Sequence, residues 1–238
     1  MLKDGAIDPN VDTPYSLTES PFVARTEADG WKTNFMRRTV SLDEIARIVA
    51  RDTVPAINDP TFLAAKAMID SLDPREPVIA IEINGDTRAY PLDILLQHEI
   101  VNDTIGGLPV MVTFCPLCNS AVAFERTVTA ETRRFGVSGF LRKSDLAMYD
   151  DFNETMWQQI TGNGIVGDDS GKVLIAIPVQ TVSWETFIER FPEGQVLERP
   201  DFPNINYDET PYQGYDDDDN TSPFLFFEIP DRRIPVIE

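Results

Sequence analysis

The 238-residue sequence is short of sulfur and imidazole: it has two cysteines and one histidine. Two cysteines exclude a disulfide framework, and with two residues between them a bridge would close almost no loop. Lysine is scarce too, five against fifteen arginines, while Asp and Glu total 40 and the net charge is −20. An acidic chain with no basic stripe excludes nucleic acid as a partner, because a phosphate backbone needs clustered cations. It fits an acidic surface kept in solution in high salt, with weak affinity for cations. No apolar run approaches 18 residues, so no transmembrane helix is expected. Met1-Leu-Lys-Asp lacks the apolar core of a signal peptide. These features imply a soluble protein, extracytoplasmic if Met1 is an artificial start and otherwise cytoplasmic.

What is present concentrates in one stretch, Val110 to Phe124 (V-M-V-T-F-C-P-L-C-N-S-A-V-A-F). Val110 to Phe114 is β-branched and aromatic and follows Gly107 and Pro109, so it reads as a strand. Ala121 to Phe124 reads as a second strand. Between them Cys115 and Cys118 form a C-P-x-C turn, which is the half-site of a zinc ribbon. No second C-x-x-C exists, but the sole histidine, His98, lies upstream in Q-H-E-I-V-N-D. Cys115, Cys118 and His98 therefore make the leading metal set, with Asp103, Glu99 or Asp145 as a fourth ligand or with an open position. Zinc suits such a donor set, and copper(I) does if Met111 or Met148 adds a thioether. The metal-free alternative makes Cys115 a nucleophile, His98 its base and Asp145 a further catalytic candidate. A third alternative is a non-catalytic binding module with an aromatic surface, in which the cysteines are small buried hydrophobes. A thioredoxin mechanism fits poorly, because N-S-A-V-A-F after Cys118 is strand-like and offers no helix N-terminus. The G-x-G-x-x-G at Gly162, Gly164 and Gly167 precedes Asp168-Asp169-Ser170-Gly171, a turn, so no nucleotide is expected.

Along the chain, residues 1–29 read as an extended arm packed through Phe22 and Trp31, and 30–238 as a single domain. A helix is expected at about Ser41 to Arg51, with Ser41 and Glu44 as a capping box. Another is expected from Asp59-Pro60 to Leu72. Pro77 to Ile83 is a strand turned by Asn84-Gly85 into a hairpin with Thr87 to Tyr90. Pro91 to His98 is a short helix that would hold His98 near the knuckle. Short strands at Arg133–Val137, Leu146–Tyr149, Gly164–Val166 and Lys172–Ile177 follow, then a helix over Ser183–Phe191. Asp145 and Tyr149 share a strand face. The acidic run Asp216–Asp219 lacks an EF-hand pattern and reads as a solvated loop, flanked by Tyr212, Tyr215, Phe224, Phe226 and Phe227. The fold class is α+β: one β-rich domain, an antiparallel meander or barrel-like sheet, with a few short helices mainly in the N-terminal third.

The motifs G-W-K-T-N-F, R-A-Y-P, H-E-I-V-N-D, T-F-C-P-L-C-N-S-A-V-A-F, F-G-V-S-G-F-L, S-D-L-A-M-Y-D, W-Q-Q-I-T-G and G-Y-D-D resemble the prokaryotic domain of unknown function 3179. The resemblance runs from about Gly30 to the C-terminal region and marks Arg88, Tyr90, His98, Glu99, Asn102, Asp103, Cys115, Cys118, Ser138, Asp145, Tyr149, Trp157, Tyr215 and Asp216. It implies one family domain, a leader or anchor in many members, and Cys115 as the more constant cysteine. It implies no activity.

Overall fold

The computed structural model describes residues 21–212. The calls on Tyr215, the acidic run 216–219, Phe224, Phe226, Phe227 and the side chain of Phe22 lie outside the described residues. Helix α1 spans Pro21–Ala28, so the end of the expected extended arm is helical. The first strands are β1 (Ile45–Arg47), β2 (Phe62–Ala64), β3 (Pro77–Ile83) and β4 (Asp86–Pro91), followed by helix α2 (Leu92–His98). Next come β5 (Ile100–Ile105), β6 (Leu108–Cys115), β7 (Ser120–Glu125), β8 (Thr127–Val128) and β9 (Glu131–Thr132). Then follow β10 (Phe135–Arg142), β11 (Asp145–Asp150), β12 (Met156–Gln158), β13 (Gly164–Val166) and β14 (Ala176–Ile177). Strand β15 (Gln180–Ser183), helix α3 (Trp184–Arg190) and β16 (Gln195–Leu197) complete the described residues. The molecule is β-rich, as its sequence implies.

Three sheets stack. The first runs β1-β10-β11-β12-β13, the second β14-β7-β6-β5 and the third β15-β3-β4-β16-β2. Pairing is antiparallel except between β16 and β4, and β8 pairs β9 in a separate two-stranded ribbon. One core joins Ile79, Ile81 and Tyr90 of the third sheet to Val101, Val110, Val112 and Phe114 of the second. Another joins Met111, Cys115 and Phe124 of the second to Phe135, Leu146, Met148 and Trp157 of the first. The second sheet is thus covered on both faces. That is why β6 reads as an unbroken apolar run and not as an alternating one. The outer face of the first sheet is capped by Trp31, Phe35 and Val40, and that of the third by Trp184 and Phe187 of α3. Trp31 packs edge-on against Tyr149 at 5.2 Å.

Two expected helices are absent. Over Ser41–Arg51 the chain makes one 3-10 turn, Leu42–Glu44, and then β1, which pairs with β10. Ser41 caps the turn by accepting from the Asp43 N–H at 3.3 Å, but the Glu44 carboxylate faces Arg142 (2.6 Å) and Lys143 (3.3 Å). The capping box is half made, and burial of Ile45 beneath the sheet edge outweighs helix propensity. Over Asp59–Leu72 the chain forms β2 and a 3-10 turn, Ala65–Ala67. The partner of β2 is β16, more than a hundred residues away, and no local signal announces it. The Asn84-Gly85 hairpin forms as expected, with φ of 52° and 81°, and so do α2 and α3, the latter capped by Ser183. Strands β5, β8, β9, β12, β15 and β16 have no counterpart among the sequence expectations. Gly162, Gly164 and Gly167 frame β13, and no helix follows them.

Candidate functional site

Cys115 closes β6, and Pro116 opens a 3-10 turn, Pro116–Cys118, that Asn119 ends in the left-handed region (φ 46°, ψ 45°). Proline fits there because its fixed φ suits the first helical position and its missing N–H is not needed. The turn curls Cys118 back beneath Cys115, so the two free sulfurs lie 3.3 Å apart. Facing them is the β10–β11 hairpin. Its two turn residues, Lys143 and Ser144, both have positive φ (54° and 64°) between the paired Arg142 and Asp145. Such a turn ordinarily carries Asn-Gly. Keeping Lys-Ser there costs on the order of 1 kcal/mol per residue, a strain that tends to gather at functional sites. It aims the Ser144 carbonyl oxygen at the sulfurs, 3.2 Å from Cys118 Sγ and 3.8 Å from Cys115 Sγ. Asp145 Oδ1 stands 3.6 Å from Cys118 Sγ, while Oδ2 accepts from the Ile160 N–H at 3.2 Å.

Among the described residues, Cys115, Cys118 and Asp145 form a group whose ligand atoms all lie within 4.8 Å of one another. Cys115 and Asp145 are buried and Cys118 is half-buried, so the group opens outward through Cys118. Contact with the Cys115 thiol, burial and the nearby Asp145 carboxylate together hold the Cys118 thiol well above the ordinary thiol range. Burial raises Asp145 as well, and the Ile160 N–H offsets part of that shift. Both groups thus hold their protons more tightly than in water, and a cation binding there must displace them.

His98 is placed elsewhere. Its Nδ1 lies 2.6 Å from the Pro55 carbonyl oxygen, which can only accept, so Nδ1 carries the proton. Nε2 then accepts from the Tyr207 hydroxyl at 2.6 Å. Burial lowers the pKa of His98, which keeps the ring neutral. The ring also packs against Phe202 at 4.8 Å. The structure therefore brings together Cys115, Cys118 and Asp145, and places His98 in a separate group that ties α2 to the loop after β16. Ser144 escaped the sequence reading, because nothing in Lys143-Ser144 announces two left-handed residues.

The other motif residues fall into separate networks. Arg88 Nη1 donates to both oxygens of Asp103 (2.6 and 2.7 Å), which also accepts from the Tyr90 hydroxyl at 2.5 Å. Asn102 ties Asn58 to the Phe135 backbone. Trp157 Nε1 donates to Asp150, which pairs with buried Arg133. Ser138 donates to the Ala147 carbonyl beside an irregularity in the β10–β11 pairing. Tyr149 donates to Asp52 at 2.7 Å beneath the Arg51 guanidinium, and lines an open cleft of about 610 Å³ with Asp59, Arg134 and Phe202. Asp145 and Tyr149 thus have different tasks at the two ends of β11. Glu99 terminates α2 at φ 58°, is 7% exposed, and accepts from Tyr212 at 3.2 Å.

The family model described as "Protein of unknown function (DUF3179)" matches residues 51–238, well over half of the chain. No curated protein and no solved structure matches the chain. No helix among the described residues is long and apolar enough to cross a membrane.

Proposed function

We propose that this chain, which belongs to the family of unknown function DUF3179, binds one zinc ion through Cys115, Cys118 and Asp145. The observation that carries the reading is two free thiols 3.3 Å apart with a buried carboxylate oxygen 3.6 Å from the outer one. Tetrahedral zinc at 2.3 Å from each sulfur would set the sulfurs about 3.8 Å apart, so a half-ångström adjustment suffices. The donor set fits the ion: two thiolates and a carboxylate are ordinary zinc ligands. Copper(I) prefers an all-soft set, and a carboxylate as third donor favours zinc over it. The Ile160 N–H fixes the Asp145 carboxylate, and Pro116 fixes the turn that pairs the thiols. Three protein ligands leave a fourth position, toward which the half-buried side of Cys118 opens; zinc bound so supplies Lewis acidity to whatever occupies it.

The test is elemental analysis of protein purified without a metal-binding tag, together with thiol counting in the native state. About one zinc per chain with both thiols blocked is expected, lost in Cys115→Ser and Asp145→Ala and kept in His98→Gln. No metal and two freely titrating thiols overturn the reading. Stoichiometric copper keeps the site and changes the ion. Loss of metal in His98→Gln would return His98 to the ligand set.

A metal-free thiol chemistry is the second reading, favoured by the outward-facing Cys118 thiol. It has less support. A thiol held above its ordinary range is a poor source of thiolate, and both ring nitrogens of His98, the proposed base for Cys115, are occupied.

A further inference from the structure

Beside the thiol pair lies a second, chemically different cavity of about 170 Å³. Leu117, the residue inside the C-P-L-C turn, and Leu146, the neighbour of Asp145, form part of its wall. Val54 and Val137 continue the wall, and Ile48 and Val49, both more than a third exposed, stand at its mouth. Into this apolar space the protein puts one carboxylic acid, Glu99. Its carboxyl accepts the Tyr212 hydroxyl at Oε1. The Glu99 backbone is left-handed at the end of α2, a position that ordinarily goes to Gly or Asn. The Phe114 N–H and the Leu95 carbonyl grip that residue on either side, so the strained placement is held. Placing a carboxyl in an apolar wall carries a desolvation cost, and a polar group converging on an apolar cavity is the usual make-up of a small-ligand site.

We propose that this cavity is a binding site for a small amine, an apolar body of a few carbons whose ammonium group meets Glu99. The size fits about six to eight non-hydrogen atoms, judging from benzene filling an apolar cavity of about 150 Å³. The sign fits as well: Glu99 is the acid among the lining residues, no lining residue is cationic, and the chain's net charge of −20 draws cations toward it. Tyr212 is the other titratable group in the lining. His98 adjoins Glu99 in sequence but turns its ring to Pro55 and Tyr207. The site does not depend on a metal at Cys115, Cys118 and Asp145, and it stands or falls separately.

The experiment is titration with benzylamine, benzyl alcohol and toluene, followed by NMR line positions of the Val and Leu methyl groups. Benzylamine should bind with a dissociation constant near or below about 1 mM and shift the methyls of Val54, Val137 and Leu146. It should bind at least about tenfold more tightly than the other two. Its affinity should rise from about pH 5 to about pH 8, as Glu99 ionises while the amine stays charged. Glu99→Gln, nearly isosteric, should lose at least about tenfold in benzylamine affinity and leave toluene binding unchanged. Val54→Trp, at a half-buried wall position, should abolish binding of all three. Equal affinities for benzylamine and toluene, or an unchanged Glu99→Gln variant, overturn the role of Glu99. Failure of all three to bind the wild-type protein overturns the site.

Discussion

Replacing Glu99 with glutamine should change how stability depends on pH, by an amount the structure sets. Burial pushes the Glu99 carboxyl from 4.5 up to about 7, with the Tyr212 hydroxyl recovering part of the cost. Because the folded-state pKa is the higher one, the folded protein holds a proton on Glu99 that the unfolded chain has released. The stability associated with that proton is fully present below about pH 4.5 and is lost as pH rises through about 7. At about 1.4 kcal/mol per pKa unit, the loss is about 3 kcal/mol. Tyr212 is the titratable partner of the group. Glutamine keeps the shape and the hydrogen-bond acceptor but does not titrate. Urea unfolding of both proteins at about pH 5 and about pH 8 gives four free energies, and the double difference removes every other titrating group. Because the unfolded carboxyl is already largely ionised at about pH 5, the wild-type protein should lose about 2.5 kcal/mol more than Glu99→Gln between those conditions. A double difference under about 0.5 kcal/mol would show that Glu99 is solvated in solution, and the cavity argument would fall with it.

Other consequences are as direct. Zinc affinity should rise with pH from about 6 to about 8 and its binding should release protons, because Cys118 and Asp145 hold theirs above the ordinary ranges; calorimetry in buffers of different ionisation enthalpy reads both. Asp103→Asn removes one of the two carboxylates that pair with half-buried Arg88 and the acceptor of the Tyr90 hydroxyl; Arg88 keeps Asp86, so the cost in chemical denaturation should be on the order of 2 kcal/mol. Gly139→Ala must hold φ at +79° and bring a Cβ within 2.4 Å of the Val49 carbonyl oxygen. It should lower stability by at least about 2 kcal/mol and disturb the wall of the amine cavity, visible as a loss of benzylamine binding. Gly85→Ala, in open space but at φ +81°, should cost less, about 1 kcal/mol.

The local signals in the sequence carried what local physics controls. The Asn84-Gly85 turn, the strand before Cys115, the α2 and α3 helices and the C-P-x-C turn all follow from residues within a few positions of one another, where backbone sterics and capping decide. The same holds for the β-rich class and for the pairing of Cys115 with Cys118, since a proline-led turn of that length returns the chain onto itself. Two helices were expected and did not form, because Ile45 and Phe62 gain more from sheet edges supplied by β10 and β16 than from a half-made cap. Which side chains gather around the thiols also lay beyond the sequence. The sequence put His98 in the leading set with Asp145 only as one option for a fourth ligand, and only the stacking of the second sheet on the first set the β10–β11 turn opposite the thiols. That turn brought Asp145 and the Ser144 carbonyl to the sulfurs, while the loop after β16 drew His98 away to Tyr207. Hydrogen bonding satisfies His98 where it stands, burial raises the Asp145 carboxyl, and contact with Cys115 together with burial raises the Cys118 thiol. Contacts between residues tens of positions apart made that choice, and no pattern along the chain records them.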